Sequence, residues 1–285
     1  MKNFFAFDKF VLLALATSFL TFGASDLRAD TWEQIQENKK IVIGTEARFP
    51  PFEFVEGGKI VGFTQDVLDA IMAEKPEINV ERLDLPFQGL LAGLDARKYD
   101  YVVTAVMGTK QRAEQYALSL PIADGTVALL KRKGDSAYNK LEDLAGKTIG
   151  VQAGATQTKI VRAHVDALRA QGATWDVKLQ EYIDYNEAYS DLTAGRIDAV
   201  ANSLPNLLFL AKERSELFEV ITDPVGPRIY YGWAGRKDED SASLVQFIND
   251  GIARLNKSGK LGELQAKWFG YAMEVPSEKV PDPEF

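Results

Sequence analysis

The chain has 285 residues, 33 Lys and Arg against 41 Asp and Glu, and no cysteine. Its net charge of −8 argues against nucleic acid and anionic membrane surfaces as partners, and the lack of thiols excludes disulfide staples and thiolate metal sites. The length suffices for two lobes, each with a core of its own.

The first 29 residues read as an export signal rather than as fold. Lys2 and Lys9 give a basic start, 11–22 is mostly apolar, and Ala29 offers a small residue before a cut. The apolar stretch is shorter than the ~20 residues of a membrane span, although an uncleaved anchor is the other reading. With no cysteine after it, a lipid-modified anchor is excluded. Without Lys2, Lys9, Arg28, Asp8 and Asp26, the remaining chain is more acidic by one charge, at −9.

Strand and helix signals then alternate, which points to an α/β fold with largely parallel sheets. The run 40–45 reads as a buried strand, 62–74 as a helix, 78–83 as a strand, 88–96 as a helix and 101–106 as a strand. A second cycle opens near Leu141, with strands over 148–152, 177–182 and 197–201 and helices over 156–170 and 186–194. Each cycle starts strand–turn–helix (IVIGTEARFPPF and TIGVQAGATQT), a weak echo of two similar lobes. Proline- and glycine-rich crossings fall near 121–125 and 223–228. Helices over 244–255 and 260–268 follow, then a loose tail with Pro276, Pro281 and Pro283.

Residues 99–121, YDYVVTAVMGTKQRAEQYALSLP, are the most informative. Thr109 is a plausible N-cap, so Lys110 and Arg112 fall at the positive end of a helix dipole. Cations there cost about 0.3–1 kcal/mol each at exposed sites, and free N–H groups at such an end bind anions. Arg112 is therefore either a grip on an external carboxylate or a solvated surface arginine.

Taken in order, VIGTEARFPPFEF, GFTQDVLDAI, PFQGLLAGL, the Arg112 segment, DLAGKTIGVQAGATQ, AYSDLTAGRIDAV and GKLGELQAKWFG resemble the periplasmic solute-binding proteins of the polar amino-acid ABC-transporter family. The resemblance spans essentially everything after the signal. It implies the type II periplasmic binding fold: two hinge-joined α/β lobes, 30–122 plus 230–285 and 123–229, that close on a small molecule. It also implies a periplasmic location, an inner-membrane ABC permease as partner, a monomer and no cofactor.

By motif position, Arg112 matches the family arginine that holds the ligand's α-carboxylate. Ala155 and Thr156 match a second-lobe turn whose N–H groups hold the same carboxylate. Phe49 and Phe87 fall where the family places aromatic walls, Phe52 and Phe54 read as packing, and Glu46 falls where a distal ligand group is read. Thr104, Ala105 and Met107 lie beside the ligand, with Met107 replacing a usual hydroxyl residue. Ser203 replaces the usual aspartate that binds the α-ammonium. A serine cannot neutralise a buried cation, which costs several kcal/mol unpaired. The expected ligand thus keeps a carboxylate but has a substituted, cyclised or absent α-amine, as in opine-like conjugates, lactams and cyclic derivatives, unless Glu46 or another acid takes over. No nucleophile elbow, metal-spaced His/Cys cluster or phosphate loop is seen. The alternative is an enzyme on the same scaffold, such as a cyclohexadienyl-dehydratase-like lyase with Glu46 as its acid.

Overall fold

A computed structural model describes residues 30–283 and Phe285; the expected export signal over 1–29 lies outside them. Helix α1 (Thr31–Asn38) is capped by Asp30, whose side chain accepts from Glu33 N, and leads into β1 (Lys40–Thr45). Three short antiparallel strands follow, β2 (Arg48–Phe49), β3 (Glu53–Glu56) and β4 (Lys59–Val61). Then come α2 (Phe63–Met72), β5 (Asn79–Asp84), α3 (Phe87–Asp95) and β6 (Tyr101–Met107). The first half ends with α4 (Lys110–Gln115), β7 (Tyr116–Leu118) and β8 (Ala123–Asp124).

The second half runs through β9 (Val127–Arg132), β10 (Thr148–Gln152), α5 (Gln157–Ala170), β11 (Lys178–Tyr182) and α6 (Tyr185–Thr193). It continues with β12 (Ala199–Ser203), α7 (Leu204–Glu213) and β13 (Phe218–Val225). The chain closes through β14 (Tyr230–Arg236), α8 (Ala242–Lys257) and α9 (Lys260–Phe269).

Two mixed sheets carry the fold. One has the order β5-β1-β6-β14-β7, with β8 added to β14; the other has the order β11-β10-β12-β9-β13. The expected parallel pairing holds across β5-β1-β6 and β11-β10-β12. The first strand after each crossing between the sheets, β9 and β14, runs antiparallel to its neighbours. Neither has a counterpart among the expected elements, although β9, VALLKR, carries the continuous apolar run of a buried strand. The two strand orders are equivalent position by position, so the echo between IVIGTEARFPPF and TIGVQAGATQT corresponds to β1 and β10 standing second in each sheet.

Apolar burial follows from this layering. Every residue of β6 is buried, as befits a strand covered on both faces. Helices α2, α8 and α9 pack together through Val67, Ile71, Ile248, Ile252 and Leu264, all buried. The tail is less loose than expected. It has no regular structure, yet Val280 and Phe285 pack on the core and Lys110 N donates to Phe285 O at 2.8 Å. Prolines suit such a path, since they need no partner for a missing N–H.

Candidate ligand-binding site

In open α/β sheets, small molecules bind beyond the carboxyl ends of the parallel strands. Glu46 directly follows β1, Met107 ends β6 and Gln152 ends β10. These three ends converge on a small cavity between the two sheets.

Arg112 reaches it from α4. Thr109 caps that short helix as expected, its Oγ1 accepting from Arg112 N at 3.2 Å. The guanidinium is buried. Nη1 donates to Met107 O at 3.0 Å, Nη2 donates to Gly154 O at 3.2 Å, and the Phe87 ring lies 5.3 Å from the guanidinium carbon. The solvated-arginine reading is thereby set aside. Among the described residues no carboxylate forms an ion pair with it. Burial lowers its pKa to about 10, so it stays a cation near neutrality. A buried charge with only neutral partners is under-compensated by several kcal/mol, which an incoming anion would relieve.

The opposite wall is the turn after β10. Gly154 has φ +76°, and a Cβ there would lie 3.2 Å from Gln88 Cα on α3. Only glycine combines that left-handed conformation with so close an approach. The turn carries Ala155 and Thr156 onto the cavity wall, and Thr156 is the residue before α5.

Nine of the ten expected site residues line this one cavity: Glu46, Phe49 and Phe87; Thr104, Ala105 and Met107; Arg112, Ala155 and Thr156. Ser203 does not. It is fully buried at the end of β12, its hydroxyl has no close partner beyond the Tyr231 phenol, and its N–H donates to Asn202 Oδ1 at 2.7 Å. The neighbouring groups are neutral. Asn202 Nδ2 donates to Tyr189 Oη and Asn206 Oδ1, while Gln157 Nε2 reaches both Asn202 Oδ1 and Tyr231 Oη. Burial pushes the phenols of Tyr189 and Tyr231 still higher than usual, so they remain uncharged.

Four further residues complete the wall: Gln152, Gln157, Tyr185 and Tyr231. Both glutamines stand inside TIGVQAGATQT, and the end of a parallel strand was the signal that could have found Gln152. Tyr231 belongs to the unforeseen strand β14. Tyr185 follows the Asp184 cap of α6 and has its ring 5.7 Å from that of Phe49. Phe49 also stacks on Phe52 at 5.3 Å, with its apolar wall continuous with the core.

Among the described residues, Glu46 is the single acid on the wall. Gln152 Nε2 donates to its Oε1 at 2.5 Å, across the cavity from one sheet's strand end to the other's. Burial pushes the carboxyl up to about 7, against the pull of that hydrogen bond and of Arg48. Near neutrality it is poised between acceptor and acid. A ligand cation would hold it ionised.

Residues 41–271 match the model of the bacterial extracellular solute-binding proteins, family 3. Among curated proteins, the L-cystine-binding protein TcyJ of Escherichia coli K12 is 30% identical over 239 residues, covering 83% of this chain and 85% of its own. ABC transporter arginine-binding protein 1 of the same strain is 29% identical, covering 92% and 98%. An ancestral arginine-binding protein solved with arginine superposes with a TM-score of 0.70 at 31% identity, over 81% of this chain and 99% of that one. With a family model spanning most of its length and relatives matched over nearly their whole chains, this protein belongs to the family 3 bacterial extracellular solute-binding proteins.

Proposed function

We propose that the chain is the periplasmic binding component of an ABC importer, and that its solute carries a free carboxylate with a modified or absent α-amine, as in an opine-like, lactam or cyclic amino-acid derivative. In this reading, lobes 30–122 plus 230–285 and 123–229 close on the solute and present it to a membrane permease. One observation carries it: Arg112 is a buried cation with no acid paired to it among the described residues, whereas the position where an ammonium would seek its partner is the neutral, enclosed Ser203. A carboxylate accepting from the guanidinium and from N–H groups of the 154–156 turn would be clasped from both lobes. Phe49, Phe87 and Tyr185 supply apolar contact for the remainder. Nothing in this wall requires chemistry on the solute, so binding is preferred to a lyase reaction.

Glu46 favours a second reading, an unmodified cationic amino acid, since it is an acid facing the same cavity. The relative named for arginine leans the same way, and the one named for cystine leans towards an unmodified amino acid. Titration calorimetry separates the two. The protein is titrated with the twenty amino acids and with N-acylated and N-carboxyalkyl counterparts. Binding confined to the N-modified set supports the main reading, and micromolar binding of an unmodified amino acid supports the second.

A further inference from the structure

Glu53 lies on β3, one layer behind the cavity wall, and is fully buried. Both of its oxygens are engaged. Thr104 Oγ1 bonds to Oε1, and Thr64 Oγ1 lies 2.6 Å from Oε2. The same Thr64 oxygen lies 3.0 Å from the carbonyl oxygen of Phe52.

A hydroxyl has one proton to give, and a carbonyl can only accept. If Thr64 donates to Phe52 O, its short contact with Glu53 needs a proton on the carboxyl. If Thr64 instead donates to a carboxylate, two acceptors face one another at 3.0 Å. The first arrangement satisfies every atom; the second leaves a repulsive contact in a buried site.

The charges around Glu53 agree. Arg48 on β2 is bound to Asp84, and Asp66 on α2 is bound to Lys267 and Trp268. Lys59 on β4 is exposed, and β6 carries no charged residue. The Glu46 carboxyl disfavours ionisation of Glu53, and the phenol of Tyr231 on β14 feels Glu53 in turn. Among the described residues no lysine or arginine forms an ion pair with it.

We propose that Glu53 is a positioning residue held as the neutral acid, giving its proton to Thr64 while Thr64 gives its own to Phe52 O and Thr104 gives its own to Glu53. Thr104 lines the cavity. With its proton committed to Glu53, its hydroxyl can only accept from a bound molecule. Building on the ligand-site reading above, this sorts the two polar ends of a solute: the carboxylate goes to Arg112, and an N–H goes to Thr104. Burial supports the assignment, pushing the Glu53 carboxyl up to about 8.

Carboxyl ¹³C NMR on the full chain labelled at glutamate tests it, with Glu53→Gln identifying the resonance. The expected result is an acid signal at about pH 6 that titrates near 8. A carboxylate signal at about pH 6 overturns the proposal. In Glu53→Gln the amide mimics the protonated acid, donating to Thr64 and accepting from Thr104. Its melting temperature should therefore gain on the native protein by several degrees as pH rises from about 5 to about 8. An offset that is the same at both pH values also overturns it. Failure of every carboxylate probe to bind would sink the functional reading while leaving this titration intact.

Discussion

Arg112 shows at the scale of one residue how much an isolated sequence can say. A cation in the first turn of a capped helix was legible as a request for negative charge, and the structure buries it among carbonyls and a ring. Charge-assisted hydrogen bonds contribute about 1.5–3 kcal/mol each. Arg112→Met should therefore weaken solute binding about 100-fold or more in calorimetry. The same change should leave the melting temperature level or raise it, because it removes an under-compensated buried charge. Glu46 is a second test at this scale. Its folded pKa lies near 7, above the ordinary carboxylate range, so the stability tied to its protonated form is present in acid and lost as pH rises towards 7. Glu46→Gln should be level with the native protein at about pH 4 and more stable by up to ~3 kcal/mol above about pH 7, in denaturant melts at each pH.

The elements explain why some of the site was invisible. Strands with continuous apolar runs, β1, β6 and β10, were readable, and so were the helices whose faces bury Val67, Leu68 and Ile71, or Leu244, Ile248 and Ile252. Strand β14, YYGWAGR, reads as no particular element because two glycines interrupt it, yet it delivers Tyr231 to the wall. Ser203 was placed by motif position alone, and position along a strand does not reveal which way the hydroxyl is enclosed. The turn after β10 offers the sharpest test of an element. Gly154→Ala puts a side chain into a left-handed conformation that costs about 1–2 kcal/mol, and against Gln88 as well. Solute affinity should fall about tenfold or more, while the secondary structure seen by circular dichroism is unchanged. An unaltered affinity would show that the turn does not approach α3 in the bound protein.

For the whole molecule, hydrogen bonds between the two sheets' elements cluster at the cavity, Gln152 to Glu46, Arg112 to Gly154 and Gln157 to Tyr231, and others lie outside it, Lys159 to Gln111 and Asn206 to Pro50. A solute gripped by both sides would add to these and shift the population towards closure, to the extent that it binds the closed form better. After the protein is stripped of co-purifying solute by partial unfolding and refolding, its radius of gyration in solution scattering should fall when that solute is returned. Arg112→Met should show no such change.

The most direct measurement is a crystal structure of the protein with the solute that native mass spectrometry finds bound to it. A carboxylate within hydrogen-bonding distance of Arg112 and of the 154–156 turn, with no –NH3+ group against Glu46, is the expected result. An Arg112 side chain turned away from the solute, or a free ammonium seated on Glu46, would contradict the account.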